Sequence, residues 1–138
     1  MRVKDLMSRP PITIVPDTPV FEARQMMQTQ RVRHLLVLEH GRLVGIITDR
    51  DIRLNLPSPA TSLSVWELNH LLSRLTVGEV MTKGVIVVEP SRDAREAAAI
   101  LLAEKIGALP VMDDGFVVGI VTETDFLRAF VGSTPLPV

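Results

Sequence analysis

Two stretches of the chain, GIITDRD at Gly45 to Asp51 and GIVTETD at Gly119 to Asp125, each carry an apolar run into Thr-x-x-Asp. A hydroxyl and a carboxylate at that spacing have two chemical uses. As a helix N-cap with an acidic residue at the third helical position, the pair satisfies N–H groups that the first turn leaves without partners and suits the helix dipole. Losing such a cap costs about 0.5–2 kcal/mol. At the mouth of a cleft, the same helix start offers N–H groups to a phosphate, and the carboxylate can accept two hydrogen bonds from a ribose diol. The spacing serves both uses equally.

Other chemistry has less to work with. His34, His40 and His70 are too dispersed for a metal site, and Ser8, Ser64 and Ser73 lack the context of an activated nucleophile. The chain has no cysteine, which removes disulfides, thiolate zinc sites and a thiol nucleophile. No catalytic residue and no metal ligand is expected. Fifteen Lys and Arg against sixteen Asp and Glu give a net charge of −1, scattered along the chain, so no broad basic face for nucleic acid is expected. The start, MRVKDLMSRPP, lacks the apolar core of a signal peptide. No segment approaches the roughly 18 unbroken apolar residues of a membrane span. A cytoplasmic setting without a membrane partner is the expectation.

The elements that position the two motifs follow from an internal repeat. Shifting the sequence by 74 positions without a gap lays Val3 to Arg53 over Val77 to Leu127. Met7, Pro16, Glu22, Ala23 and Gly41 fall on identical residues, as do Val44, Gly45, Ile46, Thr48 and Asp51. Such a fit over about fifty residues implies two copies of one supersecondary unit. In each copy a β-branched run (ITIV, Ile12 to Val15; VIVV, Val85 to Val88) closed by proline predicts a strand. Asp17-Thr18-Pro19 then predicts a cap and first-turn proline for a helix carrying Val20, Ala23, Met26 and Met27. The counterpart helix spans about Ser91 to Lys105, with AAAILLA (Ala97 to Ala103) expected to be deeply buried. Paired strands follow, LLVL with LVGII and LPVM with FVVGIV, turning at Glu39-His40-Gly41 and Asp113-Asp114-Gly115. Each copy reads β-α-β-β-α, and the last helix starts at Thr-x-x-Asp.

At 138 residues, 46% of them hydrophobic, and a mean hydropathy of +0.28, the chain suits two half-size units sharing a core. The expected division is residues 1–55, a linker over 56–76, residues 77–131 and a loose tail over 132–138. In the linker, a proline- and serine-rich loop precedes Ser64-x-x-Glu67, a capping box. Val65, Leu68, Leu71, Leu72 and Leu75 then mark an amphipathic helix with Trp66 in its first turn.

A tandem β-α-β-β-α unit with Gly-x-x-Thr-x-x-Asp closing its hairpin, opened by Met7-Ser8 and Met81-Thr82, resembles the CBS-domain pair, or Bateman module, over about Val3 to Phe130. The linker is similar to that of acetoin-utilisation-type CBS-pair proteins. The resemblance implies an α+β fold in which two repeats pack about a pseudo-twofold axis and leave two clefts. It also implies a disc-like homodimer, regulation of an effector protein, and adenosine-containing ligands: AMP, ADP, ATP or S-adenosylmethionine, with magnesium as an optional companion of the nucleotide. No tightly bound cofactor is expected. The matching nucleotide contacts are Thr48 and Asp51, Thr122 and Asp125. Arg33, His34, Arg50, Lys83, Ile86, Ala108 and Pro110 complete the expected nucleotide-binding set, and the resemblance implies that backbone near the first strand reads adenine. Family members with empty clefts keep a second reading open, a structural or dimerisation module in which the motifs are caps alone.

The copies differ in charge. Arg31, Arg33, His34, Arg50 and Arg53 surround the first motif, where the second has Lys105, Gly107, Ala108, Thr124 and Leu127. Guanidinium forks suit phosphate oxygens, so the first cleft is expected to favour ligands richer in phosphate. The alternatives are that these arginines are solvated surface residues, or that one copy completes the other's cleft.

Overall fold

A computed structural model describes residues 1–56 and 63–132. The order is α1 (Val3–Leu6), β1 (Thr13–Ile14), α2 (Val20–Gln30), β2 (His34–Glu39), β3 (Arg42–Thr48), α3 (Asp49–Leu54), α4 (Val65–Arg74), α5 (Val77–Val80), α6 (Ala94–Glu104), β4 (Ala108–Asp113), β5 (Phe116–Thr122) and α7 (Glu123–Val131). The chain is α+β, with both hairpins and both motif helices where the repeat placed them. The expected linker loop and loose tail fall largely on residues outside those described.

Two compact units form, and each takes its opening segment from the other repeat. The leading unit is Ile12–Val85, and the trailing unit joins Met1–Pro11 to the chain from Ile86 onward. In the leading unit β1 pairs parallel with β2, and β2 antiparallel with β3. Its core gathers Val20, Ala23 and Met27 of α2 with Leu35, Val37 and Ile47 of the sheet, and is completed by Leu72 of the linker helix and Val77 and Val80 of α5. In the trailing unit β4 and β5 pair antiparallel, and Val3 of α1 joins Ala97, Leu101, Leu109, Val111 and Val121 in the core.

The hairpins turn on residues with positive φ: His40 at 51° and Gly41 at 78°, Asp114 at 51° and Gly115 at 82°. Two successive left-handed residues match the twist of the flanking strands, which is why glycine holds the second place in both. Past the turns, two further glycines allow close packing. A Cβ on Gly45 would lie 2.6 Å from Met81 Sδ and 2.9 Å from the Thr82 carbonyl oxygen, and one on Gly119 would lie 2.9 Å from Met7 Sδ and 2.9 Å from the Ser8 carbonyl oxygen. The Met-Ser/Thr openings therefore lie directly on these strands, bonded through Ser8 with Ile120 and Thr82 with Ile46.

Four expectations need correction. VIVV forms no strand: only Val88 bridges to Val111. In the leading unit the Leu36 N–H donates to the Ile12 carbonyl at 3.1 Å, whereas the aligned residue Pro110 has no N–H to give Ile86. Pro19 is itself the N-cap of α2, with no side-chain cap bond, rather than a first-turn residue behind a capping side chain of Asp17-Thr18. AAAILLA is not buried all round: Ala97 and Leu101 face the core, while Leu102 is 81% exposed, because a single helix contact covers only one stripe. The counterpart helix starts at Ala94 rather than about Ser91, with Asp93 as its N-cap accepting from the Arg95 N–H at 2.8 Å.

Candidate functional site

Both motifs form complete capping boxes. Thr48 Oγ1 accepts from the Asp51 N–H at 3.0 Å while Asp51 Oδ2 accepts from the Thr48 N–H at 3.0 Å. In the trailing unit, Thr122 Oγ1 accepts from the Asp125 N–H at 3.4 Å, and Asp125 Oδ2 accepts from the Thr122 N–H at 2.8 Å and the Thr122 hydroxyl at 3.2 Å. Each motif sits where the second hairpin strand hands over to a helix, so the apolar run fixes the strand and the Thr fixes the helix start.

Each aspartate has a further partner that the repeat alignment did not assign. Thr82 donates to Asp51 Oδ1 at 3.1 Å, and Ser8 donates to Asp125 Oδ1 at 3.3 Å. Ser8 and Thr82 are aligned residues of the two openings, and that shared hydroxyl was the signal available. Arg128 gives the trailing site a contact with no parallel among the described residues of the leading unit, pairing with Asp125 Oδ1 at 3.2 Å.

In the leading unit, His34 of β2 lies in register opposite Thr48, and the carbonyl of Arg33 accepts from the Asp49 N–H at 3.1 Å, bringing both beside the motif. Arg50 is on α3 itself, and Lys83 follows Thr82; both are exposed, as is Arg33. Arg53 approaches Asp49 at 3.9 Å. In the trailing unit, Ala108 lies opposite Thr122 and Pro110 opposite Ile120, both buried, while Ile86 is 37% exposed on the segment leading into Val88. The Gly107 carbonyl takes the Glu123 N–H at 3.0 Å, repeating the Arg33 arrangement without its side chain. All eleven candidate residues thus lie on or next to the elements of their own motif except Ile86, which reaches β4 through Val88. Among the described residues no group of three or more His, Asp or Glu is placed to hold a metal.

Repeated hairpins, each ending in a capped Thr-x-x-Asp helix with a hydroxyl from an opening segment on its carboxylate, define a duplicated α+β module with two polar sites of the same plan. The CBS-domain family model matches residues 3–58 and 77–132, and the chain belongs to that family. It is 36% identical over 94% of its length to L-aspartate semialdehyde sulfurtransferase of Methanocaldococcus jannaschii, but spans 23% of that protein. It is 32% identical to the uncharacterized protein MJ1426 of the same organism, of which it spans 92%. Among solved structures, the CBS domain pair of MJ0100 in complex with 5′-methylthioadenosine and S-adenosyl-L-methionine superposes with a TM-score of 0.79 at 32% identity, covering 97% of this chain and 98% of that one. CBSX2 in complex with AMP does so with a TM-score of 0.79 at 32% identity, covering 97% and 99%. An AcuB-type acetoin-utilisation protein of Vibrio cholerae gives 0.78 at 28% identity, covering 95% and 90%. No helix among the described residues is long and apolar enough to cross a membrane.

Proposed function

We propose that the chain is a cytoplasmic regulatory module that binds adenosine-containing nucleotides at its two Thr-x-x-Asp sites and passes the bound state to an effector protein, itself working as a homodimer and performing no catalysis. The observation that carries this reading is the pair of hydroxyl-supported carboxylates at helix starts, in a chain whose relatives of the same fold include complexes with AMP and with S-adenosylmethionine. Asp51 and Asp125 would take ribose hydroxyls, and Thr48 and Thr122 phosphate or ribose oxygens. Backbone at Ile86, with Ala108 and Pro110, would border adenine in the trailing site, because Pro110 leaves the Ile86 carbonyl without the ladder donor that Ile12 has. Arg33, His34, Arg50 and Lys83 would favour phosphate at the leading site, with magnesium entering only alongside a polyphosphate.

The completeness of both capping boxes favours one other reading, a structural module whose motifs only start helices. A thermal-shift panel of AMP, ADP, ATP, NADH and S-adenosylmethionine separates the two. A ligand at about 100 times its dissociation constant adds about 2.7 kcal/mol, and no shift with any of them supports the structural reading. ATP affinity should also fall more steeply with salt than adenosine affinity if the arginines contact phosphate.

A further inference from the structure

The two aspartates do not present the same free valence. A carboxylate has about four lone-pair positions. Asp51 is half-buried and takes two described donors, the Thr48 N–H and the Thr82 hydroxyl. Asp125, 4% exposed, takes four: the Thr122 N–H and hydroxyl on Oδ2, and Ser8 and Arg128 on Oδ1. A ribose diol brings two O–H donors, for which Asp51 has room and Asp125 has none.

The four donors on Asp125 are not equally fixed. Those of Thr122 belong to the helix cap, and Ser8 is held by backbone bonds to Ile120 at 2.8 and 3.1 Å. Arg128 is tied to Asp125 alone among described partners, and its side chain is 70% exposed, so it can swing into water with little loss of packing. The residue aligned with it in the first repeat is Leu54, 71% exposed and without a donor.

We propose that Arg128 is a displaceable internal competitor for Asp125, holding the trailing site's affinity for the ribose of an adenosine ligand below that of the leading site. This rests on the adenosine-site reading given above. A hydroxyl reaches Asp125 Oδ1 only as the guanidinium leaves it, so the lost ion pair is subtracted from the binding free energy at this site and not at the other.

Isothermal calorimetry with adenosine tests it, since a ligand without phosphate cannot gain or lose a guanidinium–phosphate contact. Asp51→Ala isolates the trailing site and Asp125→Ala the leading one. In the Asp51→Ala chain, Arg128→Leu and the more soluble Arg128→Gln should each tighten adenosine binding about two- to fivefold, the scale of an ion pair whose cation is mostly in water. In the Asp125→Ala chain, Leu54→Arg should weaken it by a similar factor. Unchanged or weaker binding in both Arg128 variants overturns the proposal while adenosine binding itself stands. So does a trailing site that stays empty with or without Arg128 while the leading site fills. If no chain, wild type included, takes up adenosine, the adenosine-site reading falls, and this proposal with it.

Discussion

At the scale of single residues, Thr48, Asp51, Thr122 and Asp125 are caps by direct geometry, and any ligand contact is added to that role. The cap alone predicts that Asp51→Ala costs about 1 kcal/mol of stability. Each variant also strips an opening-segment hydroxyl, Thr82 or Ser8, of its partner, but Asp125→Ala should cost more, about 1–3 kcal/mol, because Asp125 is 4% exposed and Arg128 loses its partner too. Denaturant midpoints of the two variants check the order, and equal losses would mean that the Arg128 contact and the deeper burial of Asp125 contribute nothing. Should both variants bind every nucleotide as the wild type does and still melt early, the motifs are caps alone. The four motif residues were legible because a hydroxyl and an acid three apart is a local pattern. Their partners were not, since Ser8 lies 117 positions from Asp125 and only folding joins them.

At the scale of elements, the glycine that opens each Gly-x-x-Thr-x-x-Asp has a steric purpose independent of any ligand. Gly45→Ala and Gly119→Ala each drive a methyl to 2.9 Å from a backbone oxygen, which a side-chain shift cannot relieve. Each should destabilise by about 1–3 kcal/mol and loosen the opening segment that brings Thr82 or Ser8 to its aspartate. Thermal melts check the first effect, and hydrogen exchange at the Thr82 and Ser8 amides the second; melting unchanged in both variants would show that the strands can part at no cost. The hairpins were readable because alternation and turn chemistry are local. VIVV misled because its strand character depends on the neighbour, and Pro110 withholds the N–H that Leu36 supplies in the other copy. The short helices α1 and α5, four residues each, carry too little periodicity to be read before the fold is seen.

At the scale of the whole molecule, a gapless repeat announces two units but not which segments each contains. The 74-residue offset is blind to the exchange that puts Met1–Pro11 with the second repeat's strands, because it compares the two openings with each other and not with the strands they pack on. Surface composition adds the remaining argument, which concerns association. On the trailing unit Leu102 of α6 and Leu127, Phe130 and Val131 of α7 are 81%, 65%, 89% and 48% exposed, on two helices that touch each other. Single exposed apolar residues are ordinary, but Leu127, Phe130 and Val131, at i, i+3 and i+4, share one face of α7, and an exposed apolar stripe of that kind marks an interaction surface. The proposed homodimer would use this face. Light scattering at micromolar concentration should then give twice the chain mass of 15.2 kDa, and Phe130→Glu should return it toward 15.2 kDa, since a charge at an interface centre is strongly disfavoured. Phe116→Glu serves as the control: Phe116 is 68% exposed but stands on the β5 hairpin, so the mass should not change. A wild-type mass of 15.2 kDa sinks the dimer, and a dimer indifferent to Phe130→Glu moves its interface off α7.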